Sequence, residues 1–284
     1  MTKNICAVII TYNIDNKIRD VVNSIQDQVD KIVIVDNGSS KETINILKSI
    51  NGSNIELILN KHNIGIAKAI NYGVKYAQRC NYKWVLTLDH DSICEENYIK
   101  NMFNTYNQVT DKKNIGILAP KVFEINKQEY ISCTKDLDKP YVKVKDCIQS
   151  GAIFNIECFE KVGYFNEDLF VYHVDYDYCE RILKNDYTII QCNNCILNHE
   201  EGYKVPKKFF GKKLYYNNYS AAAIYYITRN TIYMSKVYSI KYLKRIIKDF
   251  VFIIMYDQNR YEIIKYWYKG LKDGINNKYG CLNE

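Results

Sequence analysis

The chain has 284 residues, 47% apolar and 25% charged, and its 39 Lys and Arg against 32 Asp and Glu leave a net charge of +7. These proportions suit one large globular domain, or one domain with an appendage, and exclude wholesale disorder. No run reaches the roughly 18–20 apolar residues that span a bilayer, and 5–10 is too brief for a signal h-region.

Ile5–Thr11 is a strand-forming run ending at Tyr12-Asn13. Ile18, Val21, Val22 and Ile25 then recur at helical spacing within 16–28. A second strand, 31–35, delivers Asp36-Asn37-Gly38-Ser39-Ser40 to a helix over 41–50. A third, 54–59, delivers the loop 60–65 to a helix over 66–79. The fourth, 84–88, drives into Asp89-His90-Asp91-Ser92. Alternation at this spacing predicts a parallel α/β sheet whose strands bring polar loops to one edge.

Beyond residue 115 the pattern is mixed. The segment 115–123 reads as a strand, 141–145 as an edge strand and 149–155 as a Gly-containing strand or turn. A helix is expected over 176–184 and a strand over 187–191, followed by 192–199. Past Gly202 the segments are basic, aromatic and expected to be helical. The boundaries are therefore a domain over 1–203 and a C-terminal region over 204–284. The ten cysteines lie scattered, mostly in apolar runs, which reads as buried reduced thiols in a cytosolic protein.

The chemistry concentrates in the loops after these strands. Residues i and i+2 of extended chain share a face, so Asp89 and Asp91 can address one ligand. Two hard oxygen donors there suit Mg²⁺ or Mn²⁺ carrying a phosphate group. In isolation the same pair reads sooner as a helix cap beside a solvated acid, and the rest of the chain reverses that preference. Asp36 can accept the imide N–H of a pyrimidine, or simply shape a turn. The series Asn63-x-Gly65-x-Ala67-x-Ala69-x-Asn71-x-Gly73 permits close approach of a ligand or of a neighbouring strand. Neither a Gly-x-Gly-x-x-Gly turn nor a Gly-Lys-Ser/Thr loop is present, which removes the main support for dinucleotide oxidoreductase and P-loop readings.

Thr11-Tyr12-Asn13, Val35–Ser39, Asn63–Gly73, Asp89-His90-Asp91, Ser150-Gly151-Ala152, Phe165–Phe170 and Val174–Arg181 together resemble family 2 inverting glycosyltransferases, most of all bacterial rhamnosyltransferases of polysaccharide and O-antigen assembly. The resemblance covers roughly residues 4 to 235. It implies a GT-A fold: an α/β, Rossmann-like mixed sheet flanked by helices, here with a helical C-terminal extension. It places Thr11, Tyr12 and Asp36 around the base, and counts Asn13, Asn63, Gly65 and Lys68 to the nucleotide-sugar site. Asp89 falls near the ribose or diphosphate and Asp91 on the metal. Tyr226-x-x-Arg229-Asn230 resembles a further family element, with Arg229 toward the diphosphate or acceptor.

Inverting transfer needs one base for the acceptor hydroxyl and something to neutralise the leaving diphosphate. Asp175 is the candidate base, because Asp177-x-x-Glu180 resembles a capping box that occupies the second aspartate. By the resemblance, His199 completes the Mg²⁺ or Mn²⁺ site. Cys192-x-x-Cys195 with His199 could instead suggest zinc, but a fourth ligand is lacking. The expected partners are a nucleotide-sugar donor, dTDP-rhamnose favoured over UDP-hexose or UDP-galactofuranose, and a glycan or undecaprenyl-diphosphate-linked acceptor. From Lys204 to Lys272 fifteen Lys and Arg face three acids, with aromatics interleaved. That composition reads as a solvated helical appendage, or as docking on the anionic inner face of the plasma membrane. Nucleic acid is not expected, and a homo-oligomer is compatible with the composition. Two rivals stand against the transferase. One is a haloacid-dehalogenase-type phosphatase, whose nucleophile loop Leu88–Ser92 also fits but normally ends the first core strand. The other is a membrane- or nucleic-acid-binding module without catalysis.

Overall fold

The computed structural model describes residues 4–131, 138–200, 204–209 and 212–282. They fall into two compact units: Met1–Asn166 with Asp175–Glu200, and Glu167–Val174 with Glu201–Glu284.

The first unit opens with β1 (Ile5–Thr11), α1 (Ile18–Ile25), β2 (Lys31–Asp36), α2 (Lys41–Lys48), β3 (Ile55–Leu59), α3 (Ile66–Arg79) and β4 (Trp84–Asp89). It continues through β5 (Ile93–Cys94), α4 (Tyr98–Gln108), β6 (Ile115–Glu124), β7 (Glu129–Ile131), β8 (Tyr141–Val144), β9 (Ile153–Asn155) and α5 (Ile156–Val162). After α6 (Val174–Lys184) comes the long β10 (Thr188–His199). The sheet runs β3-β2-β1-β4-β9-β6-β10-β5, with β7 on β6 and β8 on β10. Strands β1 to β4 pair in parallel, and β9 lies antiparallel between β4 and β6. The mixed, helix-flanked sheet expected from the motifs is the one observed.

β1 and β2 are continuous apolar runs because both faces of the sheet are covered. On one face Ile5, Ala7 and Ile9 pack with Ile18 and Val22 of α1, Leu47 of α2 and Met102 of α4. On the other, α3 lies so close to β1 that a Cβ on Gly73 would meet Val8 Cγ1 at 2.2 Å. The sequence pattern does not announce α4 or α5. α4 carries Asn101, Asn104 and Asn107, poor helix formers, while α5 has only seven residues after its Asn155 cap. β10 slips register between Cys192 and Ile196, which loops out three residues before pairing resumes with Lys121.

The second unit holds β11 (Lys204–Phe209), β12 (Lys212–Asn217), α7 (Ala221–Val237), α8 (Leu243–Tyr256) and α9 (Arg260–Ile275). Its helices bear out the helical C-terminal part, with one correction. β11 and β12 pair antiparallel, Lys204 opposite Asn217, where helix was expected. Pro206 cannot donate inside a helix, and Tyr215 and Tyr216 favour strand. Residues 201–203, which carry the expected boundary, lie outside the described residues.

Candidate active site

The first two loops form an interlocked frame. Parallel pairing sets Thr11 beside Asp36, and the Thr11 hydroxyl donates to Asp36 Oδ1 at 3.1 Å. The backbone N–H groups of Gly38 and Ser39 donate to Oδ2 at 3.1 and 2.9 Å, and the Ser39 hydroxyl donates to Oδ1. Asp36 is fully buried and a carboxylate has about four acceptor positions, all filled here. It is therefore the tie of the loop that the sequence places around the base. Asn13 accepts from Ser40 N–H at 2.9 Å and gives its own N–H to Ser39 Oγ at 2.8 Å.

A second clamp joins this loop to the one after β3. Asn37 receives Ile64 N–H at 2.9 Å and donates to Asn63 Oδ1, which also accepts Gly65 N–H. Gly38 sits at φ +80°, and any Cβ there would fall 2.4 Å from the His62 carbonyl carbon. Tyr12, 44% exposed, projects from the frame. Lys68 is half-buried in the first turn of α3. At the end of the small-residue series the close approach is to a strand. Gly73 admits Val8, and the buried Asn71 side chain ties both backbone groups of Phe165 at 2.9 and 3.0 Å.

The paired carboxylates sit where β4 ends. Gln149 Nε2 donates to Asp89 Oδ1 at 2.6 Å, and Asp89 N–H donates to Ser150 Oγ at 2.9 Å. The Ser150 hydroxyl donates to Ser92 Oγ at 2.8 Å. Ser92 Oγ in turn lies 2.8 Å from His199 Nδ1, the same nitrogen that lies 3.3 Å from Asp91 Oδ1. What brings His199 here is β5, which follows Ser92 at once and pairs Ile93 with Asn198. Ligand atoms of Asp89, Asp91 and His199 all lie within 4.8 Å of one another. The two carboxylate oxygens suit a hard divalent cation such as Mg²⁺ or Mn²⁺, and the imidazole nitrogen adds a softer third donor.

The two acids differ. Burial, then the neighbouring Asp91 charge, raises Asp89. At Asp91 burial is outweighed by the hydrogen bond and charge of His199, with His90 adding to them, and the group is lowered. Sequence reasoning gives no role to Ser92, Gln149 or Ser150. Only Ser150-Gly151 carries any signal, through the family pattern. Cys192 and Cys195 are buried, burial holds both as thiols, and Cys195 Sγ contacts Tyr98 O. They are not part of the ligand cluster found among the described residues, so the zinc alternative has no support here.

Asp175 and Asp177 both lie in the first turn of α6. Asp175 is partly exposed and accepts Tyr176 N–H at 2.9 Å. Burial, with the charges of Asp89 and Asp146 added, pushes it up to about 6. Asp177 is fully buried and is not a cap, because the helix begins at Val174. It holds Arg181, whose Nε donates to it at 3.0 Å. Asp177 thus remains structural for a different reason.

Arg229, in the second unit, is fully buried. Four of its five N–H groups go to the carbonyls of Asp168, Leu169 and Gly280 and to Asn230 Oδ1. In this structure Arg229 binds backbone carbonyls, a role which a pattern of spacing cannot distinguish from contact with a diphosphate or acceptor.

Residues 6–163 match the model of a family described as Glycosyl transferase family 2. The chain is 31% identical over 196 residues to dTDP-rhamnosyl transferase RfbF of Shigella flexneri, covering 64% of each chain and so just under two thirds of that relative's length. It is 22% identical to Low-salt glycan biosynthesis hexosyltransferase Agl10 of Haloferax volcanii over 99% of this chain and 94% of that one. Among solved structures, GalNAc-T7 with UDP, GalNAc and Mn²⁺ is similar in fold, with a TM-score of 0.62 at 12% identity. That likeness covers 96% of this chain and 56% of the other.

Proposed function

As the chain belongs to glycosyl transferase family 2, we propose that it transfers a sugar, with inversion, from a nucleotide-diphosphate donor to a hydroxyl of a growing cell-surface glycan. The observation that carries this reading is the Asp89, Asp91 and His199 cluster, with the raised Asp175 carboxylate near enough for its charge to interact with Asp89. The phosphatase rival loses its ground here, since the Asp89 loop ends the fourth strand of the chain.

The reaction is one in-line displacement. The acceptor oxygen bonds to the anomeric carbon as the bond from that carbon to the diphosphate oxygen breaks, and the diphosphate leaves with the electron pair. Asp175 takes the hydroxyl proton. A carboxyl of pKa about 6 is mostly ionised at neutral pH, yet is more basic than an ordinary aspartate. Asp91 and His199 would hold Mg²⁺ or Mn²⁺, which would supply charge neutralisation to the leaving diphosphate. Gln149 and Ser150 position Asp89 toward the nucleotide, and Ser92 positions His199. Tyr12 is the exposed ring offered to the base.

The donor we favour is dTDP-rhamnose, supported by the similarity to RfbF. A hexose donor is the second reading, supported by the nearly full-length similarity to Agl10. We assign the nucleotide-sugar binding and the chemistry to residues 1–203, with 204–284 as a basic, aromatic, mainly helical region beside them in sequence. The acceptor we favour is carried on undecaprenyl diphosphate at the inner membrane face. Thermal shift with dTDP-rhamnose, UDP-glucose and UDP-galactofuranose, each with and without Mn²⁺, tests the donor, since ligand binding to the folded state raises the melting point. Stabilisation by dTDP-rhamnose that needs Mn²⁺ is expected. Response to UDP compounds alone overturns rhamnose, and response to no nucleotide overturns the transferase reading.

A further inference from the structure

α8 is apolar on two faces. Ile246 and Ile253 are buried, Ile253 in a cluster with Ile224 of α7 and Ile263 of α9, and Phe250 packs 4.5 Å from Trp267. A helix that seats one face on its neighbours normally turns polar side chains outward on the other. Here the outward face carries Ile247, Val251, Ile254 and Met255, exposed by 68, 42, 42 and 46%. Their spacing of i, i+4, i+7 and i+8 makes one stripe over two turns. Lys244 and Lys248 stand beside it on the helix, Lys241 precedes it, and all three are exposed. From Lys236 to Lys248 there are five basic residues and no acid.

We propose that this stripe is an interfacial anchor for an anionic bilayer, its aliphatic side chains in the acyl boundary and its lysines on the headgroups. This deepens the membrane-linked acceptor reading, on which it rests, and narrows it from the whole basic tail to one helix face. At 1.5 Å per residue the stripe is about 12 Å long, enough to lie in the interface and not to cross it. No helix among the described residues is long and apolar enough to span a membrane.

Charge argues against a second copy as the occupant. A twofold contact sets the same patch against itself, so Lys244 and Lys248 would face their own counterparts. The first acid on the helix, Asp249, is already paired with Arg245 at 3.3 Å. Nucleic acid has no use for an aliphatic stripe.

Flotation of the full chain with phosphatidylcholine vesicles, with or without one third phosphatidylglycerol, tests the anchor. Binding to the anionic vesicles, weakened by salt, is expected. Joint substitution Ile247→Ser, Val251→Ser and Ile254→Ser should weaken partitioning at least ten-fold. Lys244→Gln with Lys248→Gln should weaken it about five-fold per lysine. Should the triple variant fail to melt cooperatively, the single change Ile247→Ser serves, with a weaker but measurable loss expected. Flotation unaltered by these changes overturns the proposal, as does a chain that binds neither vesicle. A concentration-dependent dimer dissolved by the serine substitutions would also overturn it, by assigning the stripe to a second copy. Nucleotide-induced thermal shift, read on the same variants, stays intact, so failure of the anchor and failure of the transferase reading are separable.

Discussion

Asp175→Asn should abolish sugar transfer and make the protein more stable. The aspartate is pushed from 3.8 to about 6, chiefly by burial. One pKa unit corresponds to about 1.36 kcal/mol, which sets an upper limit of roughly 3 kcal/mol on the cost of ionising it. The side chain is partly exposed, so solvent screening reduces that to about 1 kcal/mol. Asn keeps the shape and the oxygen that accepts Tyr176 N–H, so only the charge is removed. A change of about 1 kcal/mol raises the melting temperature by roughly 2–4 °C in a domain of this size. The sign depends on pH. The folded pKa lies above the unfolded one, so the penalty is absent below about 3.8, grows as pH rises to about 6, and is complete above it. Melting curves of both proteins without divalent metal should therefore diverge between pH 4 and 6.5. Transfer by the wild type should fall as pH drops through the Asp175 pKa. If the Asp175→Asn variant still transfers sugar, or is no more stable than the wild type at pH 8, the assignment of a strained, ionised base is refuted.

Three other perturbations probe the surroundings. Ser92→Ala removes one of the two side chains that meet His199 Nδ1, the other being Asp91, and should weaken Mn²⁺ binding by about 10–100-fold in calorimetry, whereas unchanged affinity would remove Ser92 as the positioning group of the imidazole. Arg229→Lys cannot reproduce the fork that holds three carbonyls, and urea unfolding should show a loss of about 2–4 kcal/mol. Nucleotide affinity of the folded fraction should stay normal, and a selective loss of that affinity would return Arg229 to the sugar site. Gly73→Ala places a methyl 2.2 Å from Val8 Cγ1 and should cost about 1–3 kcal/mol by overpacking, so an unmoved urea midpoint would contradict the close approach of α3 to β1.

The first four strands are legible because each is a short apolar run bounded by its own turn residues, and β1 to β4 appear within a residue or two of the expected ends. The same local logic locates the Asp89 and Asp91 pair, and the family resemblance adds His199, so that two carboxylates and an imidazole converge in space. It fails where a residue's role depends on distant partners. Asp36 reads as an acceptor, without sign that Thr11, Gly38 and Ser39 donate to it. Arg229 reads as a ligand-binding cation, and nothing local announces the carbonyls 51 to 61 positions away that it binds. The β11 and β12 pair merges into a helical tail in the sequence because its basic, aromatic composition matches the helices that follow. Gln149 and Ser92 carry no signature at all, being ordinary polar residues made useful by the hydrogen bonds they form.

The pairing of β5 with β10 also sets a timetable. Ser92 and His199 are 107 positions apart, and they meet only when the last long strand is in place. Closing so long a loop is slow and entropically costly, so this corner should order late. On the ribosome, at about 5–20 residues per second, roughly 5–20 s separate the emergence of the two aspartates from that of the histidine. During that interval the nascent chain presents two carboxylates without their imidazole, and the three-residue cluster closes only after nearly the whole sheet has been made.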